Sequence, residues 1–418
     1  MTRLRIENIG EFFTGDIARP VANVTSVEIG GGKIVAFDPP PRPSAAGAGT
    51  AEEATVDAVV DARGGAVMPG IVDGHVHPVF GEWTPTQDTI GWIGNYLHGG
   101  TTTMISAGEL HVPGLDYANL TAELVTSLAV VTASTTGRVR WSGVKVHAGT
   151  CLVVPGMREE HFDRLAAAGA KFIKFIFFPL EARRDEALNY IRWARARGMR
   201  AKVHTGGVSR SGVSQVCGYD TLSWLQPDIA AHISGGPIPM NDADLDALID
   251  NTEFPLEICS SGNDRSTLRA VKRLAESGQL ARLTLGTDTP GGTGIIPRGM
   301  LRNVLYLASV CGLTPGQAIA AATGNTARAH GLDVGILDIG RPADLLVLGR
   351  VEGSAGPSFA DSVAHGDFPG VSHVLIDGES VVIGRSQQTP PPQRPALYSC
   401  CNLGWLNGAG QGHSKEGH

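Results

Sequence analysis

Two histidines separated by one residue, His75 and His77, follow the apolar segment 67–72. Side chains alternate along a β-strand, so both imidazoles are predicted to point the same way. Two neutral imidazoles at that separation can bind one divalent cation, and a strand ending there would present both at its carboxyl end. The spacing therefore predicts a metal site, while two solvated loop histidines are the ordinary alternative for this short motif taken alone.

Four more polar residues lie at or near the ends of later apolar runs. They are Lys174, His204, His232 and Asp288. Each alone has an ordinary explanation, because a lone histidine often packs in a loop and a lone aspartate often caps the next helix. If the runs are neighbouring strands of one sheet, these side chains converge on one edge and form a single centre with His75 and His77.

The apolar runs alternate with helix-like stretches, which is the pattern of a parallel sheet built from βα units. Eight runs are recognisable, at 70–77, 102–106, 143–147, 172–177, 201–204, 229–232, 256–259 and 283–288. They predict an α/β fold, a closed (β/α)8 TIM barrel, whose active site forms where the strands end. The polar residues described above stand at or near that end.

Short strand-like runs and turn signals also lie on both sides of the barrel segment, within residues 4–37 and 344–383. They predict a small β-sandwich domain built from both chain ends. The predicted boundaries are 1–66 plus 334–389 for this domain and 67–333 for the barrel. Residues 390–418 are predicted to form a carboxyl-terminal tail, because they are rich in small and polar residues.

Composition excludes several classes of function. The net charge of −7 comes without a basic stripe, which argues against a nucleic-acid partner. A hydrophobic content of 42% and a charged content of 18% are typical of a globular protein, and no apolar run approaches the ~20 residues of a membrane span. No signal-peptide pattern is present, so a cytoplasmic location is expected, and the scattered cysteines are expected to be reduced thiols.

Several motifs resemble the amidohydrolase superfamily of metal-dependent hydrolases. They are Pro69-Gly70-Ile71-Val72-Asp73-Gly74-His75-Val76-His77, the strand-end histidines, Gly286-Thr287-Asp288 and Gly340-Arg341-Pro342-Ala343-Asp344-Leu345. Within the superfamily the chain is most similar to cyclic amide hydrolases of the enamidase type, through residues 97–108, 144–147, 204–207, 232–237 and 294–297. The resemblance implies a cytoplasmic homo-oligomer, with a tetramer favoured, that acts on a small-molecule cyclic amide.

The resemblance also implies a ligand set for two divalent metal ions. His75, His77 and Asp288 would bind one ion, and His204 and His232 the other. The bridging ligand would be a carboxylated Lys174, as in hydantoinases and dihydroorotases. Zinc is the metal that the resemblance favours, with iron or manganese as alternatives.

Two alternatives concern the lysines near this centre. In the first, Lys174 is unmodified and forms a salt bridge with Asp288 beside a single metal ion. In the second, Lys145 on the third strand takes the place of Lys174 as the bridge. Lys171 and Lys202 are expected to be solvated, because they stand out of register with the other ligands.

The ligand set implies a reaction class, which is the opening of a carboxylate-bearing lactam or enamide ring by a metal-bridging hydroxide. Asp288 would be the catalytic acid and base that carries a proton to the leaving nitrogen. The alternatives are a mononuclear heterocycle deaminase, an amide hydrolase like dihydroorotase, hydantoinase or isoaspartyl peptidase, and a non-catalytic barrel. The deaminase requires a glutamate just beyond the fifth-strand histidine, where this chain has Gly206 and Gly207.

Three residues in the loops after the strands are candidates for contacts with the substrate. Arg298 could pair with a substrate carboxylate, while His111 and Asn263 could donate hydrogen bonds to the ring or its oxygen. Ordinary loop packing is the alternative for each of the three.

Overall fold

The structure is a computed structural model of the 418-residue chain. It describes residues 3–40, 56–78, 86–108, 115–136, 143–209, 212–236, 238–400 and 404–406. None of the helices in these ranges is long and apolar enough to cross a membrane.

The first part of the described chain consists of short β-strands. They are β1 Arg3–Glu7, β2 Glu11–Phe13, β3 Val21–Ala22, β4 Val27–Gly30, β5 Lys33–Phe37, β6 Ala58–Asp61 and β7 Ala66–Pro69. The tight connection between β4 and β5 places Gly31 and Gly32 at φ values of 60° and 81°. This left-handed region favours glycine, and the pair therefore fixes the hairpin.

The central part of the chain forms the barrel strands. They are β8 Ile71–Val76, β9 Thr101–Ser106, β10 Lys145–His147, β11 Cys151–Leu152, β12 Phe172–Phe175, β13 Arg200–His204, β14 Ile229–Ala231, β15 Leu256–Cys259 and β16 Leu283–Gly286. The strands pair in parallel within two sheets, β8 to β10 and β11 to β16. Two short strands, β10 and β11, together occupy the third position. The wall closes between the segments after β16 and β8, where the Asp288 amide donates to the His75 carbonyl at 2.8 Å.

Helices follow the strands and cover the outside of the barrel. They are α1 Thr86–His98, α2 Ala122–Thr136, α3 Glu159–Ala167, α4 Arg184–Ala196, α5 Tyr219–Leu225, α6 Asp242–Asn251, α7 Asp264–Glu276, α8 Gly299–Ser309, α9 Pro315–Ala320, α10 Thr326–Ala329 and α11 Phe359–His365, with a 3₁₀ turn at Leu280–Arg282. Between α9 and α10 the helix continues as a π-turn over Ala321–Asn325. In α7, Thr267, Ala270, Val271 and Leu274 are buried, which is the spacing of an amphipathic helix packed on a sheet.

The last strands complete the small domain. They are β17 Leu345–Gly349, β18 Gly370–Ile376, β19 Glu379–Val382, β20 Leu397–Cys400 and β21 Gly404–Leu406. Two six-stranded sheets result, in the orders β21-β20-β6-β1-β4-β5 and β19-β18-β17-β7-β2-β3. Their inner faces share one apolar cluster, which includes Ile6, Val27 and Val60 from one sheet and Val67 and Val347 from the other. The predicted barrel with a sandwich built from both chain ends is therefore confirmed.

Two details differ from the predicted boundaries. The predicted barrel begins at residue 67, but β7 pairs with β17 and β2 in the sandwich, and the first barrel strand begins at Ile71. Residues 390–418 were assigned to a tail, but β20 pairs antiparallel with β6. The segment Leu397–Cys400 is thus part of the sandwich, where it lies between β6 and β21.

The end of the barrel opposite the predicted active site is closed by apolar packing. Val72, Ile105 and Phe172 point from three strands into one cluster with Ala327 of α10 and Val334. Thr326 adds a polar tie, because its hydroxyl accepts a hydrogen bond from the Leu285 amide of β16 at 3.0 Å. This plug leaves the carboxyl ends of the strands as the open end of the barrel.

Candidate metal centre

Three of the predicted ligands meet where the barrel closes. His75 and His77 lie at the end of β8, and Asp288 follows β16. The Asp288 Oδ1 atom lies 3.0 Å from Nε2 of His77 and 3.6 Å from Nε2 of His75. All three residues are buried, and their possible ligand atoms lie within 4.8 Å of one another. The two imidazoles face the same centre, as their alternation along the strand predicts.

The second predicted pair of ligands completes the cluster. Nδ1 of His204, at the end of β13, lies 3.2 Å from Nε2 of His232, just beyond β14. The His232 ring also lies 5.1 Å from the ring of His75, measured between centroids. The structure therefore brings all four strand-end histidines and Asp288 together at one mouth.

Hydrogen bonds at the far side of the His75, His77 and His204 rings indicate which nitrogen of each faces the cluster. Nδ1 of His75 lies 2.5 Å from Oε1 of Glu257, and Nδ1 of His77 lies 2.6 Å from the Gly108 carbonyl. Nε2 of His204 lies 2.9 Å from the Gly207 carbonyl. If each of these nitrogens carries the proton, the other nitrogen of the ring presents its lone pair to the centre, as a metal ligand must.

Lys174 reaches the same interior from β12. Its side chain is 1% exposed, and its Nζ atom has no hydrogen-bond partner among the described residues. Burial lowers the pKa of the Lys174 amine to about 8, although the nearby Glu257 carboxylate opposes the shift. An amine buried without a hydrogen-bond partner is energetically costly. The site therefore fits a bound group that would satisfy this nitrogen.

The protonation states of the clustered side chains also favour the binding of a metal cation. Burial lowers the pKa of His204 to about 4 and holds the pKa values of His75 and His232 well below the ordinary histidine value. Burial alone would raise the pKa of Asp288, but its contacts with His77 and the neighbouring imidazoles hold it below the usual range. Neutral imidazoles beside a carboxylate are the form in which such residues bind divalent metals.

Sequence reasoning missed residues that hold the ligands in place. The Asp73 carboxylate accepts hydrogen bonds from the Thr287 amide at 2.9 Å and the Thr287 hydroxyl at 2.6 Å, which ties β8 to the segment before Asp288. Its burial raises the pKa of Asp73 to about 7. Glu257, beside His75, is completely buried. The sequence signal that could have identified Asp73 and Glu257 is the presence of a single acidic residue inside an apolar strand.

Two expectations about lysines are wrong. Lys202, expected to be solvated, is completely buried, because it lies on β13 directly across from Lys174 in the register of the sheet. Lys145, the alternative bridge, instead donates to Asp344 at 2.7 Å and to Asp377 at 2.7 Å. That contact joins the barrel to the sandwich, so the Lys145 amine is committed elsewhere.

The predicted substrate residues have other contacts in this structure. The Arg298 guanidinium stacks over Phe368 at 4.9 Å, in a cavity of about 790 Å³ that also contains Arg302. Asn263 caps α7, because its side-chain oxygen accepts from the Ser266 amide at 3.0 Å. His111 lies outside the described residues. None of the five clustered ligands lines the cavity at Arg298, as far as the described residues define it.

Comparisons with known proteins agree with this architecture. The profile of the amidohydrolase family matches residues 66–381. An enamidase from Eubacterium barkeri is 37% identical over 398 residues, covering 95% of this chain and 99% of the relative. A crystal structure of enamidase superposes with a TM-score of 0.83 at 35% identity, covering 94% of this chain and 99% of that one. An imidazolonepropionase from Streptomyces griseus subsp. griseus is 26% identical and covers 78% of this chain and 87% of the relative.

Proposed function

The chain belongs to the amidohydrolase family and is a hydrolase, and from this premise we propose that it opens a carboxylate-bearing cyclic amide of the lactam or enamide type. The proposal rests on the buried cluster at the barrel mouth, which contains four histidines, one aspartate and a lysine without a hydrogen-bond partner among the described residues. The 37% identity to an enamidase over 95% of the chain supports the choice of a cyclic amide.

The metal ions of this site would be held by the ligands that the sequence predicts. One ion would bind His75, His77 and Asp288, the other would bind His204 and His232, and a carboxylated Lys174 would join them. We propose zinc, with iron or manganese as the alternatives. Such ions, when bound, supply a water molecule of lowered pKa and polarise a substrate carbonyl oxygen.

Lys174 can become a bridging anion without help from another side chain. Its neutral amine adds to carbon dioxide, the nitrogen gives up a proton to water, and a carbamate with one negative charge forms. The lowered pKa of the buried amine favours the neutral form that this addition requires. The same burial leaves the unmodified ammonium without a hydrogen-bond partner among the described residues, which supports the carbamate over a simple salt bridge.

Asp288 is the residue that we propose moves the proton. Its carboxylate takes a proton from the attacking water as the water oxygen bonds to the carbonyl carbon. It then donates that proton to the ring nitrogen as the carbon–nitrogen bond breaks, and so returns to its starting form. Its lowered pKa keeps it available as a base, and Gly292 packs against its Oδ2 atom on the open side of the barrel.

The deaminase alternative has less room in this structure. A β-carbon at Gly207 would lie 2.7 Å from the side chain of Ile238, and one at Gly206 would lie 2.5 Å from the Ile238 carbonyl. A glutamate after His204 would therefore displace the neighbouring segment. The tetramer and the cytoplasmic location stay predictions.

A substrate panel tests the proposal. Purified protein supplied with zinc, iron or manganese would be offered an enamide lactam with and without a ring carboxylate, hydantoin, dihydroorotate, a β-aspartyl dipeptide and adenine. We expect ring opening of the carboxylated lactam, measured by mass spectrometry. Ammonia release from adenine without any ring opening would instead support the deaminase, and activity confined to the dipeptide would support an isoaspartyl peptidase.

A further inference from the structure

Glu257 is an acidic side chain buried inside the barrel, immediately behind the ligand cluster. It lies on β15 between the apolar residues Leu256 and Ile258, and it is 0% exposed. Its Oε1 atom lies 2.5 Å from Nδ1 of His75, on the side of the ring away from Asp288. Its Oε2 atom has no hydrogen-bond partner among the described residues. One oxygen is therefore committed to His75.

The nearest cation to this carboxylate is Lys202. Its Nζ atom lies 3.8 Å from Oε2 of Glu257 and donates to the Gly74 carbonyl at 2.5 Å. Gly74 directly precedes His75, so Lys202 contacts both the backbone and the hydrogen-bond partner of the same ligand. A buried carboxylate is tolerated when an opposite charge accompanies it, and Lys202 is placed to supply that charge.

Besides His75 and Lys202, the titratable groups near Glu257 are Asp73, Cys259, Lys174 and His330. Asp73 and Cys259 carry no positive charge, and Lys174 is the residue proposed to become an anionic carbamate. The remaining candidate for the cation is His330. Its Nδ1 atom lies 2.6 Å from the Thr326 carbonyl and donates to it, so Nε2 is the unprotonated nitrogen of the neutral ring. That Nε2 atom lies 3.9 Å from Oε2 of Glu257, too far for a hydrogen bond. Burial holds the pKa of His330 well below the ordinary histidine value. The charge that balances Glu257 therefore comes from β13 and not from the helical plug.

We propose that Glu257 is a positioning residue for the metal ion at His75, and that Lys202 is its charge partner. By accepting the Nδ1 proton of His75, Glu257 fixes the tautomer and the ring plane that turn Nε2 toward His77 and Asp288. The inference rests on the proposed function, because it assumes that the cluster binds metal. It adds a link between the two halves of the site, since Lys202 stands two residues before His204 on the same face of β13.

The test measures metal binding and not turnover. Metal-free wild type, Glu257→Gln and Lys202→Met would be titrated with zinc against a chromophoric chelator and, separately, loaded with cobalt(II) for visible absorption spectra. Glutamine keeps the size of the side chain but removes its charge. We expect zinc affinity at the first site to fall by roughly 10- to 100-fold in Glu257→Gln, the usual cost of losing such a partner. The cobalt spectrum should shift as well.

The matched control is Glu253→Gln, which makes the same chemical change at an exposed side chain four residues before Glu257. It should leave the affinity and the spectrum unchanged. If Glu257→Gln does not fold, Lys202→Met decides the question, and it is expected to weaken the same site. Wild-type affinity and an unshifted cobalt spectrum in the folded variants would overturn the inference. A wild-type protein that binds no metal would overturn the proposed function itself.

Discussion

Asp288 is the side chain on which the proposed chemistry depends. Asp288→Asn keeps the shape of the residue but cannot accept a proton at either terminal atom. We expect kcat on the carboxylated lactam to fall by about 10²- to 10⁴-fold, the usual contribution of a positioned acid or base. Metal content should persist on the four histidines. The measurement is steady-state kinetics beside elemental analysis of the same sample.

The control for that substitution is Asp250→Asn, at a side chain that is 48% exposed and paired with Arg273 on the outer surface. It should leave kcat unchanged. Near-full activity in metal-loaded Asp288→Asn would show that another group carries the proton.

At the residue scale, the sequence identified site residues where a polar residue stands at the end of an apolar run. The histidines and Asp288 were found in this way, and the structure brings them together. The roles of Lys202 and Glu257 were not predicted, because each is a single charged residue between apolar neighbours in the middle of a strand. Alternation places such a residue on one face, but it does not reveal that both faces of a closed barrel are buried.

The loop after β16 is the element that holds Asp288 in place. Gly292 is exposed, yet a β-carbon there would lie 1.9 Å from Oδ2 of Asp288. Gly292→Ala must therefore move the carboxylate or the loop, and we expect a loss of activity of at least about tenfold, since small misplacements at a reacting group are costly. The unfolding temperature should stay close to that of the wild type, because the position is on the surface.

Gly236→Ala is the matched control, since a β-carbon at that half-buried loop glycine meets no described atom within 4 Å. Activity should be unaffected there. Equal activity in the two alanine variants would mean that the position of Asp288 is not set by the loop packed against it.

At the element scale, the sequence predicted the barrel because each strand is a distinct apolar run between helical stretches. The predicted junction between sandwich and barrel, at residues 66 and 67, lies too early, since residues 66–72 form one run without a polar side chain. The junction is at Gly70, whose amide donates to the Asp344 carbonyl at 2.9 Å. The local sequence pattern cannot reveal a hydrogen bond between two residues so far apart in the chain.

The two domains are joined by a buried ion pair. The Lys145 ammonium contacts Asp344, whose side chain is 1% exposed, and Asp377 of the sandwich. Removing one partner of a buried pair leaves a charge uncompensated, so Lys145→Met should lower the free energy of unfolding by about 3 kcal/mol. Denaturant unfolding measures the change. Metal content should stay that of the wild type, because the pair lies outside the ligand cluster.

The comparison variant is Arg265→Gln, which breaks the exposed pair with Asp242. Such surface pairs contribute about 1 kcal/mol or less. An equal, small effect for both variants would show that Lys145 does not tie the domains together.

At the scale of the whole molecule, the sequence predicted a sandwich from both chain ends but not its last strand. Leu397–Cys400 is short and adjoins proline-rich and glycine-rich segments, so its local pattern is weak. Its place beside β6 depends on backbone pairing with a strand far away in the sequence. The family resemblance supplied the ligand set, whereas Glu257, Lys202 and the domain tie became visible only in three dimensions.

The central claim is a two-metal centre bridged by carboxylated Lys174, and metal content per chain tests it most directly. Protein purified without chelator would be analysed for metals and intact mass, together with Lys174→Ala and the control Lys171→Ala, at an exposed residue before β12. The account predicts two ions per chain and a labile carbon dioxide adduct in wild type and control, and a content near one ion without the adduct in Lys174→Ala. One ion per chain in all three proteins would contradict it.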